Sequence, residues 1–200
     1  MLLAIDTSAG TSVAVVDLDG GILAERGSDD PRGHAERVGE LIEAALAGAG
    51  VRARDLSGVA AGMGPGPFTG LRVGIAAARV FAAGIRRPVV PVISHDAVAF
   101  GQREPVVVAT DARRREFFVS AYDGTDDQGL PIRASEPAVV PVAALEAGAR
   151  TVLQPAVVSA GALGMIAELQ YAHRRPFAAD EAVYLRSPDV TPSTGPKRVS

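Results

Sequence analysis

The chain has no cysteine and no tryptophan, and its aromatic content is only 4% of 200 residues. Without cysteine there is no disulfide framework, no thiolate nucleophile and no cysteine metal site. With so few rings there is no stacking platform for single-stranded nucleic acid. Lysine is almost missing as well: the one lysine is Lys197, fourth from the end. A phosphate loop that needs a lysine after its glycines is therefore excluded from the body of the chain. The net charge is −3 and the isoelectric point is near 5.6, so autonomous binding to nucleic acid lacks its usual basic face. No uninterrupted apolar run reaches the ~20 residues that span a bilayer. The chain opens directly on a strand pattern, without a basic-then-apolar leader. The expectation is a cytoplasmic protein without membrane contact. Its core must be built from Ala, Val, Leu and Ile, since 48% of residues are hydrophobic.

Catalytic motifs are also scarce. The three histidines, His34, His95 and His173, are far apart, and no His-Glu-x-x-His occurs. No Gly-x-Ser-x-Gly elbow supports a serine hydrolase.

What is present centres on residues 58–87. Small apolar residues 58–63 suit a buried strand. Gly62, Gly64, Pro65, Gly66 and Pro67 then interrupt regular structure, because glycine opens positive φ while proline fixes φ and lacks an N–H. Gly64 and Gly66 are expected at backbone angles closed to other residues. Thr69 is the expected N-cap of a helix. The loop invites a phosphate-cradle reading, since helix N-termini attract anions. Two of its amides are missing at the prolines and no acid follows until Asp96, so a packing role is preferred.

The helix from Thr69 to Gly84, with Ile85 just after it, carries Leu71, Val73, Ile75, Val80 and Phe81 on nearly every side. It is covered either by a sheet and the preceding helix, or by another protein. Gly74, Ala77 and Ala78 would permit close approach there. The preceding helix, His34 to Ala47, is amphipathic, with Val38, Leu41, Ile42, Ala45 and Leu46 on one face. Strands are read at residues 2–5, 11–18 (entering a hairpin at Asp19-Gly20-Gly21), 22–27, 88–93, 106–111, 116–122 and 154–159. Further helices are read at 94–100 (capped by Ser94), 142–147 and 162–171, and a loop at 126–135. The tail 187–200 is expected to be disordered.

The pattern apolar strand, aspartate, turn, strand occurs at residues 2–18 and again at 106–122. Asp6 and Asp111 end the two first strands. Each either caps its own turn or is a candidate ligand-facing carboxylate. For Asp111 the cap is preferred, because Arg113, Arg114 and Arg115 adjoin it.

GPGPFTGLRVG closely resembles the GPGSFTGLRIG signature of the bacterial TsaB (YeaZ) family, with Pro67 in place of the usual serine. LLAIDTSAGTSVAVVD, DARRREFFVSAYD and a weaker Tyr-Leu-Arg at 184–186 extend the resemblance over nearly the whole ordered chain. It implies an α/β actin-like ATPase (ribonuclease H-like) duplicated fold, each lobe a mixed sheet flanked by helices, with lobes at residues 1–101 and 102–186. It implies a non-catalytic scaffold in tRNA threonylcarbamoyladenosine biosynthesis. Partners would be a TsaD-like catalytic subunit and a TsaE-like ATPase, with homodimerisation when alone and tRNA reached only through the complex. Catalytic relatives bind metal through paired histidines four apart on the first helix, and here His34 is followed by Val38. No cofactor is required, although a weak or degenerate ATP/ADP contact at Asp6, Thr7 and Ser8 stays open. The implied partner face is His34, Val38, Leu41, Thr69, Arg72, Val73, Ala77 and Phe81. The alternative is a small sugar- or acid-kinase-like ATPase, whose adenosine-binding glycines could only be Gly161 and Gly164. A peptidase is a remote third reading.

Overall fold

In the computed structural model, residues 1–30 and 33–186 are described, and the expected disordered tail lies outside them. The opening apolar segment forms β1 (Leu2–Asp6), flanked by β2 (Thr11–Asp17), β3 (Gly21–Ser28), β4 (Gly58–Gly62) and β5 (Val89–Val92) in the order β3-β2-β1-β4-β5. The first three strands are antiparallel, while β4 and β5 add in parallel. Asp17 makes the β2–β3 hairpin by accepting the N–H groups of Asp19 and Gly20. β1 is buried along its whole length because both faces of the sheet are covered.

Alternation along β1 divides the core. Leu3 and Ile5 face α1 (His34–Ala49) and α2 (Phe68–Ile85), together with Val13, Val15 and Val59. Leu2 and Ala4 face the opposite layer, where Leu163, Ile166 and Ala167 of the helix Ala160–Ala172 pack. That last helix comes from the C-terminal half of the chain yet lies across the first sheet. α2 is long and apolar enough to cross a membrane by length and composition, with a mean hydropathy of 1.4. Its Leu71, Ile75, Ala78 and Ala82 are nonetheless packed in this core.

A second sheet is built from β6 (Val106–Asp111), β7 (Glu116–Thr125), β8 (Pro131–Arg133), β9 (Ala138–Pro141) and β10 (Thr151–Leu153). β6 pairs antiparallel with β7, β7 with β8 and β9, and β10 joins β6 in parallel. This repeats the first sheet's arrangement of an antiparallel run with a parallel strand beside its first member. The architecture is the duplicated actin-like fold, with two mixed sheets and flanking helices. The short α3 (Ser94–Ala99) docks on the second sheet, and the helix Ala160–Ala172 is α4.

Several expectations fail for local reasons. Thr69 does not cap α2; Pro67 stands at the N-cap and Thr69 is an exposed residue of the first turn. Ser94 is the first residue of α3 rather than its cap, and its hydroxyl accepts the Gly64 N–H instead. The helix expected at 142–147 is a single 3₁₀ turn, Val142–Ala144, tied by the Val142 N–H to the Arg115 carbonyl. The strand expected at 154–159 lies at Thr151–Leu153. Pro155 cannot donate to a ladder, and Val158 instead donates to Ala9 at the end of β1. β8 and β9 are short edge strands inside or beside an expected loop, with no alternation to announce them.

α3 is fastened by a buried polar cluster. His95 is fully buried, with Nδ1 at 2.8 Å from Ser120 Oγ and Nε2 at 2.9 Å from Thr110 Oγ1. Asp96 accepts the Tyr122 hydroxyl at 2.7 Å and both Arg133 NH2 contacts at 2.7 Å. Burial, with a smaller push from Arg133, lowers the His95 pKa to about 3, so the ring is neutral in the folded protein. A histidine depressed in the native state stays unprotonated there while the unfolded chain binds a proton below about pH 6.5. Stability should therefore fall from about pH 6.5 towards pH 3, by at most about 1.4 kcal/mol per pH unit from this group. Denaturant unfolding from pH 7 to 4 should show a shallower acid loss in His95→Gln than in wild type. Parallel curves would mean that His95 titrates normally.

Candidate functional site

The turn after β1 is enclosed by glycines. Asp6 is 1% exposed; its Oδ1 accepts the Ser8 N–H at 2.8 Å and the Ser8 hydroxyl at 2.6 Å. Its Oδ2 is buried without a hydrogen-bond partner and lies where a Cβ on Gly62 would stand. Burial raises the Asp6 pKa, opposed mainly by the hydroxyls of Ser8 and Ser94. Asp6 thus caps its own turn and is aimed into the protein.

Thr7 enters α2 itself. Its Oγ1 donates to the Gly70 carbonyl at 2.7 Å and accepts the Gly74 N–H at 3.0 Å. An uninterrupted α-helix would bond those two groups to each other. A side chain at Gly70 would stand 2.7 Å from the Thr7 carbonyl, and one at Gly74 would overlap the Thr7 hydroxyl. Gly74 therefore serves an internal approach rather than a partner's, and Ala78 is buried core. Ser8 in turn backs onto Gly66, where a Cβ would lie 2.9 Å from Ser8 Cα. Gly66 has no positive φ, contrary to expectation; its requirement is close approach. Gly64 does adopt φ +93°. Its N–H and carbonyl bond Ser94, and the Met63 N–H bonds Val92, so the Gly62–Pro67 loop, with Pro65 buried inside it, is occupied by packing.

Outside this knot is a cleft of about 370 Å³ lined by Ser8, Asp29, His34, Thr69, Asp111 and Arg113, among others. The two strand–aspartate–turn units meet there. Of Asp6, Thr7 and Ser8, only Ser8 lines it. Asp111 is exposed, and its Oδ1 accepts the Arg113 N–H at 2.8 Å, a local turn. His34 begins α1, with Nδ1 2.6 Å from Thr11 Oγ1. Burial lowers its pKa, only partly offset by Asp30 and Asp6, so it is neutral at neutral pH. One turn on, Val38 is 8% exposed and packed in the core. Among the described residues no group of three His, Asp or Glu side chains could hold a metal ion.

The expected partner face is mixed. Val38 is core and is withdrawn from that face. Leu41, Val73, Ala77 and Phe81 are half-buried against the same core, while Thr69 and Arg72 are exposed. The Arg72 guanidinium lies 3.9 Å from the Phe68 ring centre. α2 is less bare than its composition suggests, since Val80, at 74%, is its most exposed large apolar side chain. Sequence reasoning missed that residues 180–184 cover one flank of α2. Its only signal was the Tyr184-Leu185-Arg186 match.

A family model described as TsaD, tRNA N6-adenosine threonylcarbamoyltransferase, matches residues 10–158. A crystal structure of YeaZ from Pseudomonas aeruginosa superposes with a TM-score of 0.72 at 28% identity, covering 92% of this chain and 99% of that one. The chain belongs to the TsaB (YeaZ) family. A Haemophilus influenzae member, named tRNA threonylcarbamoyladenosine biosynthesis protein TsaB, is 36% identical over 124 residues. That match covers 60% of this chain and 52% of the relative. An uncharacterized Mycobacterium tuberculosis protein is 38% identical over 202 residues, covering 96% of this chain and 94% of that protein.

The TsaB-family turn generates a stability test. Gly74→Ala should lower stability by about 1–3 kcal/mol through overpacking against Thr7. Gly84→Ala, in the same helix with open space around it, should raise stability by up to about 1 kcal/mol. Thr7→Ala added to Gly74→Ala should recover part of the loss. Thermal melts that rank Gly74→Ala with Gly84→Ala would remove the hydroxyl insertion from the account.

Proposed function

We propose that this chain is a non-catalytic scaffold subunit in tRNA threonylcarbamoyladenosine biosynthesis, docking and activating a TsaD-type catalytic subunit in the cytoplasm. The pathway rests on the names of its TsaB relatives. The single structural observation that supports the non-catalytic role is the pairing of His34 with a buried Val38. The position expected to carry a second imidazole is committed to the core, where an ionisable or metal-binding side chain would displace packing. A TsaE-type ATPase joins the same assembly, tRNA is met through the complex, and the free chain pairs with itself through the α1–α2 face. No cofactor is required. A degenerate nucleotide contact would have to be made at the Ser8 side of the cleft, without a lysine.

The kinase-like alternative is weakened by the use made of its glycines. A Cβ on Gly161 would lie 2.6 Å from Ile22, and one on Gly164 2.7 Å from Val16, so both glycines seat α4 on the first sheet. The first amides of α4 are also taken: Ala160 N–H bonds Ser12, Gly161 N–H bonds Glu25, and Ala162 N–H bonds Ser159.

Docking is tested by co-purification with a TsaD homologue. Val80→Glu changes an exposed side chain, so the fold should survive while a charge enters the proposed contact. Association should weaken at least about tenfold, corresponding to about 1.4 kcal/mol, with an unchanged circular dichroism spectrum. Undiminished association would move the interface off α2. Purified chain alone should show no ATPase, kinase or peptidase turnover, and turnover abolished by Asp6→Asn would overturn the scaffold reading.

A further inference from the structure

Residues 180–186 form an irregular strap with two sets of anchors. On the first-sheet side, Arg79 NH2 donates to the Asp180 carboxylate at 2.8 Å and to its carbonyl at 3.1 Å. The Val183 N–H donates to the Met63 carbonyl at 2.7 Å, and the Tyr184 ring sits 4.9 Å from the Phe68 ring. On the second-sheet side, Arg186 donates to the Ala112 carbonyl at 2.9 Å and is ion-paired with Glu116. Phe68 lies between Pro67 and Thr69 on one rim of the cleft, and Ala112 lies between Asp111 and Arg113 on the other.

We propose that the strap Asp180–Arg186 is a releasable latch that joins the two rims of the cleft and couples the outer side of α2 to the β6–β7 turn. Tyr184 and Arg186 are two residues apart, so their Cα atoms lie at most about 7 Å from each other, and the tether is that span plus the two anchoring side chains. While both are anchored, the rims cannot separate further than that tether allows. The anchor at the α2 end is weak: Arg79 and Asp180 are 49% and 62% exposed, and exposed ion pairs contribute little. Whatever draws Arg79 away from the strap loosens the cleft, and whatever parts the rims loosens the strap from α2, since coupling between two sites is reciprocal. This goes beyond the docking reading and does not need it, because the coupling belongs to the free chain.

Hydrogen exchange on the full-length protein, read by mass spectrometry, tests the latch in both directions. Arg79→Ala, at the α2 end, should speed exchange at least about threefold in residues 180–186 and also in 111–118. Arg186→Ala, at the turn end, should do the same in 180–186 and in 63–70. Glu116→Gln removes the ion pair without touching the strap, and it stands in should Arg186→Ala fail to fold. Acceleration confined to the mutated end, or a strap whose exchange does not change, overturns the proposal.

Discussion

The Thr7 hydroxyl sits between the Gly70 carbonyl and the Gly74 N–H, in a bond that α2 would otherwise make with itself. That insertion fixes the distance between the end of β1 and the helix, and the neighbouring sequence follows from it. Gly70 and Gly74 must lack side chains for the turn to approach, Gly66 must lack one for Ser8, and Gly62 must lack one for Asp6. The glycines of the central stretch therefore serve a three-residue turn of the protein's own backbone. A phosphate would have needed the same close approach and free amides, and here the turn has taken the space.

The same packing turns Asp6 and Thr7 inward, leaving Ser8 as the one of the three that lines the cleft. Here desolvation raises the Asp6 pKa, and a carboxyl raised in the folded state favours its protonated form more than in the unfolded chain. Asp6 consequently contributes most below the unfolded carboxylate pKa and loses that contribution as pH rises through its folded value. His34 is likewise neutral. In the cleft, His34 is bonded to Thr11 and Asp111 to its own turn through the Arg113 N–H.

How much of this was legible from the sequence depended on whether the signal was periodic or local. The two strand–aspartate–turn units, the first two helices and the position of the central glycine loop were legible because apolar runs, helical spacing and glycine–proline runs are written in consecutive residues, whereas the backbone angle expected at Gly66 was not found. Capping at Thr69 and Ser94 was misread because both hydroxyl positions obey the local rule, yet Pro67 and Ile93 take the cap and tertiary contacts claim Ser94. β8 and β9 left no alternation, being edge strands three and four residues long. Thr7 against Gly74 is a contact across 67 residues, and no local pattern carries it. Gly74 was visible as a small residue in an apolar helix. Which surface it admitted could be decided only once β1 lay against α2.

Division of the chain at residue 101 follows the sequence repeat, but the mechanical connections cross it in both directions: His95 and Asp96 reach into the second sheet, while α4 and the strap return to the first. α4 completes the core of the first sheet, with Glu25 of β3 accepting from both Ser159 and the Gly161 N–H at its start. The strap then returns from α4 to α2 and ends on the β6–β7 turn. The N-terminal sheet consequently depends on residues 160–172 for one whole covered face, whereas the smaller apolar cluster around Val106, Val108 and Tyr122 leans on the buried polar bonds of His95 and Asp96. Hydrophobic burial loses little with direction, while buried hydrogen bonds lose most of their value when partners shift. The first sheet is thus built to keep its shape while the second is held in register by a few specific contacts. The proposed partner face, α1 and α2, lies on the former.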